Sequence, residues 1–121
     1  MSAHDNLSGI ARLVRATRVG IKALIWAARE EEAIRLEMLG LVVLVPLGIW
    51  LGQTGAQRAV LCGSALAVLI VELLNTGLEV AVDRIGTEHH ELSGRAKDLG
   101  SAAVMMALLM AALSWALILI Y

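Results

Sequence analysis

The sequence predicts an all-α membrane protein with an N-terminal amphipathic surface helix and three transmembrane helices. Of its 121 residues, 59% are hydrophobic and only 17% are charged, and the mean hydropathy is +0.77. A water-soluble domain of this size needs far more polar surface than that composition supplies. The stretch from Leu99 to Tyr121 carries no charge at all, and its length suffices to cross the hydrocarbon layer as a helix.

The surface helix is predicted over residues 7–29, where apolar and cationic side chains alternate with helical spacing. One face carries Leu7, Ile10, Val14, Ile21, Leu24 and Ile25, and the other carries Arg12, Arg15, Arg18, Lys22 and Arg29. This pattern is typical of a helix that lies in the headgroup layer of a membrane. Two interpretations remain open: a basic arm held by anionic lipid, or a part of an active site.

The remainder of a single domain, residues 1–121, is predicted to contain spans over residues 33–52, 59–83 and 97–121. The first is the weakest, because it reaches membrane-spanning length only if Arg35 and Glu37 extend to the interface. Pro46 removes a backbone donor and is expected to kink that span. Ser93 is the predicted N-cap of the third span.

The second span carries four polar residues on one face: Glu72, Asn75, Glu79 and Asp83. At the helical period their side chains fall within roughly 80° of one another. Each ionisable group inside a bilayer costs about 2.5–3.5 kcal/mol on insertion scales, so this polar face requires an explanation. A loop rich in charged and histidine residues, from Arg84 to Asp98, is predicted to follow it.

Three functions are compatible with this polar face. It could form hydrogen bonds between helices of an oligomer, act as a proton relay in a small transporter, or support metal-assisted phosphoryl transfer. Only the last uses both the polar face and the charged loop, since Mg²⁺ prefers carboxylate and phosphate oxygens. The sequence contains no GxxxxGK[ST], GxGxxG before a helix, or HExxH motif, so the common nucleotide and zinc-hydrolase folds are excluded.

The charge distribution predicts an orientation in the membrane. Of the ten Lys and Arg residues, only Arg58 lies between the first and second spans, and the others lie before or at the start of the first span, or between the second span and the start of the third. The positive-inside rule therefore places the N-terminus and the second loop in the cytoplasm and the C-terminus outside. We expect no cleaved signal peptide and no nucleic-acid partner, and the single cysteine, Cys62, excludes an intrachain disulfide.

Two segments, VELLNTGLEVAVDRIG and HELSGRAKDLGSAAV, closely resemble the prokaryotic diacylglycerol kinase family. The resemblance lies in an ExxNxxxExxxD pattern followed by AKD, three spans and a basic N-terminal helix. It implies a homotrimer in the bacterial inner membrane, with a periplasmic C-terminus, that uses Mg²⁺ and ATP to phosphorylate diacylglycerol to phosphatidic acid. Related Gram-positive enzymes phosphorylate undecaprenol instead, but DRIG and HELSGR are more similar to the diacylglycerol branch.

The resemblance also implies a role for particular residues. Glu72 would be the catalytic base, Asn75 would help to position it or the phosphate, and Glu31 and Glu79 would hold Mg²⁺. The implied nucleotide contacts are Arg12, Val19, Glu31, Glu79, Glu88, His89, His90, Lys97 and Asp98. Val19 stands where an aromatic residue would be expected. The lipid substrate would enter near Glu72, Ser101, Arg35 and Glu37.

The polar face has to be covered by protein, because carboxylates exposed to lipid are costly. Small residues recur on the third span, at Ala96, Gly100, Ala103, Ala107 and Ala111. Such residues let another helix approach closely, and we interpret them as helix-packing positions. In the implied homotrimer, we expect each active site to be shared between neighbouring chains.

Overall fold

The computed structural model describes residues 3–121, with side chains from Ser8 onward, and this range consists of four helices. They are α1 (Ala3–Glu30), α2 (Glu32–Leu51), α3 (Gly55–Ile85) and α4 (Glu91–Ile120). The helices α2, α3 and α4 are each long and apolar enough to cross a membrane, which confirms the prediction of three apolar spans. The side chain of Leu7, assigned above to the apolar face of the first helix, lies outside the described side chains.

The first two helices are joined by a single non-helical residue, Glu31, whose backbone is extended (φ −118°, ψ 114°). Arg35 stabilises this junction, because its Nη1 donates to the carbonyl oxygens of Ala28 and Arg29 at 3.0 Å each. The last carbonyls of a helix lack partners within the helix, and a cation there also interacts favourably with the helix dipole. Arg35 therefore acts as a side-chain cap on the C-terminal end of α1.

The turn between α2 and α3 is closed by side-chain hydrogen bonds. Thr54 Oγ1 accepts from the Gln57 backbone N–H at 3.1 Å, and Gln57 Oε1 accepts from the Gln53 N–H at 2.9 Å. Arg58 Nε donates to the Ile49 carbonyl at 2.8 Å. Each of these bonds satisfies a backbone group at a helix end. The prediction placed Arg58 in the connecting loop, whereas it lies in the first turn of α3.

Helix α3 occupies the middle of the chain's packing and contacts both α2 and α4. On the α2 side, Gly48 is buried against Leu61 and Cys62, where a side chain would meet Leu61 Cβ at 3.1 Å. On the α4 side, Trp115 Nε1 donates to the Leu61 carbonyl at 3.0 Å. Leu61 is fully buried as a result. The polar face of α3 thus lies on the helix that packs between α2 and α4.

Most other apolar side chains of the spans are exposed in the single chain. On α4, for example, Leu99, Met105, Leu109 and Leu113 are all more than half exposed. Large contiguous apolar surface of this kind is stable only against lipid or another protein. The exposed surface therefore agrees with a membrane-embedded chain.

The loop between α3 and α4 is much shorter than the predicted segment from Arg84 to Asp98. It comprises only residues 86–90, because α4 already begins at Glu91. The prediction of Ser93 as the N-cap is wrong: the cap is His90, whose Nδ1 accepts from the Leu92 N–H at 3.0 Å. The imidazole nitrogen here accepts the hydrogen bond that a Ser, Thr, Asp or Asn side chain accepts at many N-caps.

Candidate active site

The packing of α2 on α3 brings Glu37 opposite Glu72. Glu37 lies eleven residues before Gly48, and Glu72 lies eleven residues after Leu61. Eleven residues are about three helical turns, so each glutamate shares a helix face with the residue from which it is counted. Because Gly48 and Leu61 are in contact, the two glutamates lie at the same height along the α2–α3 helix pair, on the faces that the two helices turn toward each other.

Glu72 lies near three other carboxylates, those of Glu37, Glu79 and Glu31. We refer to Glu31, Glu37, Glu72 and Glu79 as the carboxylate cluster. All four residues are half-buried. The structure therefore brings together the predicted base, both predicted metal ligands and Glu37, a second residue of the predicted lipid entrance.

No member of the carboxylate cluster forms an ion pair within the described part of the chain. The ion pairs found there are Arg95–Glu91 and Lys97–Asp83, and neither includes a member of the cluster. The same residues contain no group of three or more potential ligands close enough to hold a metal by themselves. A divalent cation at this position would need oxygen atoms from elsewhere, such as those of phosphates.

Asn75 connects the carboxylate cluster to α4. Its Nδ2 donates to Glu79 Oε1 at 3.4 Å, while its Oδ1 is buried and has no hydrogen-bond partner. This oxygen lies against Gly100 of α4, a buried position where a side chain would overlap it. A buried acceptor without a partner typically costs about 1–3 kcal/mol, and such groups are rare enough to suggest a functional reason.

A second polar region lies where α3 meets α4. Lys97 Nζ is 2.8 Å from Asp83 Oδ1, so this lysine bridges the two helices in the single chain. Glu79 also attracts Lys97, which relates this region to the carboxylate cluster. Four of the predicted nucleotide contacts, Glu88, His89, His90 and Lys97, line a common cavity of about 270 Å³.

Other predicted site residues are not brought to these regions within one chain. Arg12 and Val19 are exposed on α1, and Asp98 and Ser101 are exposed on α4. None of them takes part in a hydrogen bond or ion pair with the carboxylate cluster among the described residues. Arg35, predicted to lie at the lipid entrance, donates instead to the end of α1.

Sequence reasoning missed three features of the site. Asp83 was recognised on the polar face but not as the partner of Lys97, and Gly100 was interpreted only as a packing position. The third is an apolar cavity of about 540 Å³ between α1 and α3, lined by residues such as Trp26, Leu73 and Thr76. No single motif indicates that cavity, because its two walls are far apart in sequence.

These features define a helical membrane protein in which carboxylates of the central helix and of the preceding helix and junction lie together without ion-pair partners, near a histidine-containing loop. The sequence matches the family model of prokaryotic diacylglycerol kinase over residues 18–119. It is also similar to three relatives that are named diacylglycerol kinase. The relative from Escherichia coli is 42% identical over 95% of this chain and 94% of its own length. The relative from Haemophilus influenzae is 42% identical over 94% and 97%, and that from Pseudomonas aeruginosa is 41% identical over 93% and 92%.

The chain therefore belongs to the prokaryotic diacylglycerol kinase family, and it is an enzyme of the kinase class. The match extends from α1 to the last turn of α4, so it includes the carboxylate cluster and the α3–α4 loop. The sequence resemblance to this family is confirmed.

Proposed function

We propose that the enzyme transfers the γ-phosphate of ATP to the free hydroxyl of diacylglycerol, giving phosphatidic acid. Relatives of 41–42% identity carry the name diacylglycerol kinase. The observation that carries the proposal is the carboxylate cluster, in which Glu72 faces Glu37 and no described cation neutralises either of them. Such a group suits a reaction that needs both a proton acceptor and oxygen ligands for a cation.

Glu72 is the proposed general base. A carboxylate that no cation neutralises accepts a proton more readily than one in an ion pair. Glu72 would take the proton of the lipid hydroxyl as that oxygen forms a bond to the γ-phosphorus. The bond between the γ-phosphorus and the bridging oxygen breaks in the same step, and ADP leaves. Asn75, one turn from Glu72, would hold the neighbouring Glu79 in place through its amide.

Glu31 and Glu79 are the proposed ligands of Mg²⁺. When bound, the ion would neutralise charge on the phosphate oxygens. Two half-buried carboxylates suit this role, because the phosphates of ATP would supply further oxygen ligands to a site that lacks a third protein ligand. The nucleotide would lie toward the cavity lined by Glu88, His89, His90 and Lys97.

The lipid would approach between α1 and α3. The cavity of about 540 Å³ there is lined mainly by apolar groups, among them Leu73, the residue next to Glu72. Such a cavity suits an acyl chain or the glycerol end of a neutral lipid. In this proposal α1 is an amphipathic helix at the membrane surface, and Glu37, Arg35 and Ser101 lie at the lipid entrance.

We further propose a homotrimer with shared active sites. Arg12, Val19, Asp98 and Ser101 are part of the proposed site but remain exposed and apart from the carboxylate cluster in one chain. A neighbouring chain could supply them and cover the exposed apolar surface of α4. The cation distribution supports an inner-membrane orientation with a cytoplasmic N-terminus and a periplasmic C-terminus.

The test is an assay of purified protein in mixed micelles with labelled Mg-ATP and added lipid. Transfer of label to diacylglycerol supports the proposal. Parallel reactions with undecaprenol test the other lipid alcohol, and a faster rate with undecaprenol than with diacylglycerol would overturn the proposed substrate. Absence of transfer to both lipids would overturn the assignment of lipid-alcohol phosphorylation.

A further inference from the structure

Gly100 lies at the contact between α4 and the amide of Asn75. A methyl group built on Gly100 would overlap Asn75 Oδ1 and would lie 3.2 Å from both Asn75 Cγ and Leu78 Cδ2. The glycine is buried, so neither helix can move aside without losing packing. The space available to the Asn75 side chain is therefore set by the absence of a side chain at position 100.

At this contact only one of the two polar atoms of the Asn75 amide has a hydrogen-bond partner. Its Nδ2 donates to Glu79, whereas its Oδ1 has no hydrogen-bond partner. A Cβ would replace a hydrogen of Gly100 that points toward this oxygen. A Cα–H group in that direction is a weak donor, of the kind common at close helix–helix contacts. A substitution at Gly100 would replace this favourable contact with a steric clash.

We propose that Gly100 is a positioning residue for phosphoryl transfer, acting through Asn75 on the carboxylate cluster. This inference rests on the proposed function. With a side chain at position 100, the amide must rotate or shift toward the cluster, and its bond to Glu79 is lost. Glu79 is a neighbour of both Glu72 and Lys97, so its displacement alters the groups on which the reaction depends.

Gly100→Ala is expected to lower kcat on the order of 10²-fold, since displacements of about 1 Å in a catalytic site have effects of that size. The matched control is Gly48→Ala. Gly48 is equally buried in a helix–helix contact, where a methyl group would lie 3.1 Å from Leu61 Cβ and 3.2 Å from Cys62 Sγ. It is far from the carboxylate cluster, so kcat per folded protein should remain near the wild-type value.

A double-mutant cycle with Asn75→Ser separates positioning from general packing. If Gly100 acts through Asn75, adding Gly100→Ala to Asn75→Ser should cause no further loss of kcat. The midpoint of thermal unfolding should follow the same pattern. Gly100→Ala should lower it in the wild type and not in Asn75→Ser, where the shorter side chain leaves room for the methyl group.

The outcomes distinguish this inference from the proposed function. If wild-type protein transfers no phosphate, the proposed function fails. In that case the thermal unfolding midpoints of the double-mutant cycle still test whether Gly100 and Asn75 interact. If the wild type is active, a normal rate in Gly100→Ala or equal losses in both backgrounds would overturn the positioning role. If Gly100→Ala does not fold, Asn75→Ser must restore folding, and a failure to do so would also overturn it.

Discussion

Helix α3 begins at a turn whose polar groups are paired, and further along it carries polar groups that are not. At the α2–α3 turn, Thr54, Gln57 and Arg58 each bond a backbone group at a helix end. Further along α3, Glu72 and Glu79 lie beside other carboxylates and take part in no ion pair among the described residues, and Asn75 Oδ1 has no hydrogen-bond partner. The polar groups at the start of α3 thus have hydrogen-bond partners, whereas several of those further along lack hydrogen-bond or ion-pair partners.

Under the proposed function, this difference separates the part of α3 that stabilises the fold from the part that would take part in the reaction. Unpaired buried polar groups typically reduce stability by about 1–3 kcal/mol each, and sequences retain such groups mainly at functional sites. The paired turn can hold α2 and α3 together while the carboxylate cluster stays available for the proposed ligands. Substitutions in the carboxylate cluster should therefore lower activity more than stability, and substitutions at the α2–α3 turn should lower stability more than activity.

The largest expected effect is at Glu72. Glu72→Gln keeps the size and hydrogen-bonding capacity of the side chain but removes the proton acceptor, so kcat should fall by about 10²-fold or more. Binding of Mg-ATP should be largely unchanged. The measurement is labelled phosphate transfer in mixed micelles together with nucleotide binding by calorimetry. Stability should not decrease, because one of four mutually repelling carboxylates becomes neutral.

Glu32→Gln is the matched control for that substitution. Glu32 is exposed in the first turn of α2 and is not a member of the carboxylate cluster. It should retain near-normal turnover. If Glu72→Gln also turned over normally, Glu72 could not be the base, and the carboxylate cluster would have a structural rather than a chemical role.

Replacement of either proposed metal ligand should have a smaller effect, and one that depends on magnesium. Glu31→Gln or Glu79→Gln should weaken Mg-ATP binding by roughly 10-fold or more, as expected from the loss of a metal-site group. Excess Mg²⁺ should recover part of the activity. Titrations of ATP with and without Mg²⁺ provide the measurement, with Glu30→Gln as the control. Equal ATP affinity with and without Mg²⁺ in the wild type would contradict the pairing of Glu31 with Glu79.

Mixed trimers test whether the carboxylate cluster is completed by a second chain. Inactive Glu72→Gln and Asp98→Asn proteins would be unfolded together and reassembled. If each site combines Glu72 of one chain with Asp98 of its neighbour, every mixed trimer contains one intact site. Random assembly then restores about a quarter of the wild-type rate in a cyclic trimer. If all mixtures stay inactive while reassembled wild type is active, each site belongs to one chain.

Much of the fold and the centre of the candidate site could be predicted from the sequence. Composition and the uncharged stretch from Leu99 to Tyr121 predict membrane-spanning helices, because a bilayer imposes a length and a polarity on each span. Helical spacing alone places Glu72, Asn75 and Glu79 on one face of α3. Both are local properties of the chain, so one sequence suffices to identify them.

The contacts between α3 and α4 could not be predicted because they depend on the position of the loop. Ser93 is a common type of N-cap and His90 is not, so the predicted loop was too long. With the loop at residues 86–90, Asn75 lies eleven residues before it and Gly100 ten residues after it. Residues at nearly equal distances from such a turn meet in an antiparallel helix pair. The contact of Gly100 with Asn75 therefore follows from the loop bounds rather than from any motif.

The smallest expected effect is at the α2–α3 turn and should appear in stability alone. Thr54→Ala removes the oxygen that accepts from the Gln57 N–H, and the loss of an N-cap costs about 1 kcal/mol. Chemical unfolding followed by circular dichroism in micelles would measure this change. Thr54 lies about 27 Å along α3 from Glu72 at 1.5 Å per residue, so kcat per folded protein should not change. Gln53→Ala is the control, because position 53 contributes only its backbone N–H to the turn. A loss of kcat in Thr54→Ala without a loss of stability would show that the two regions of α3 are coupled.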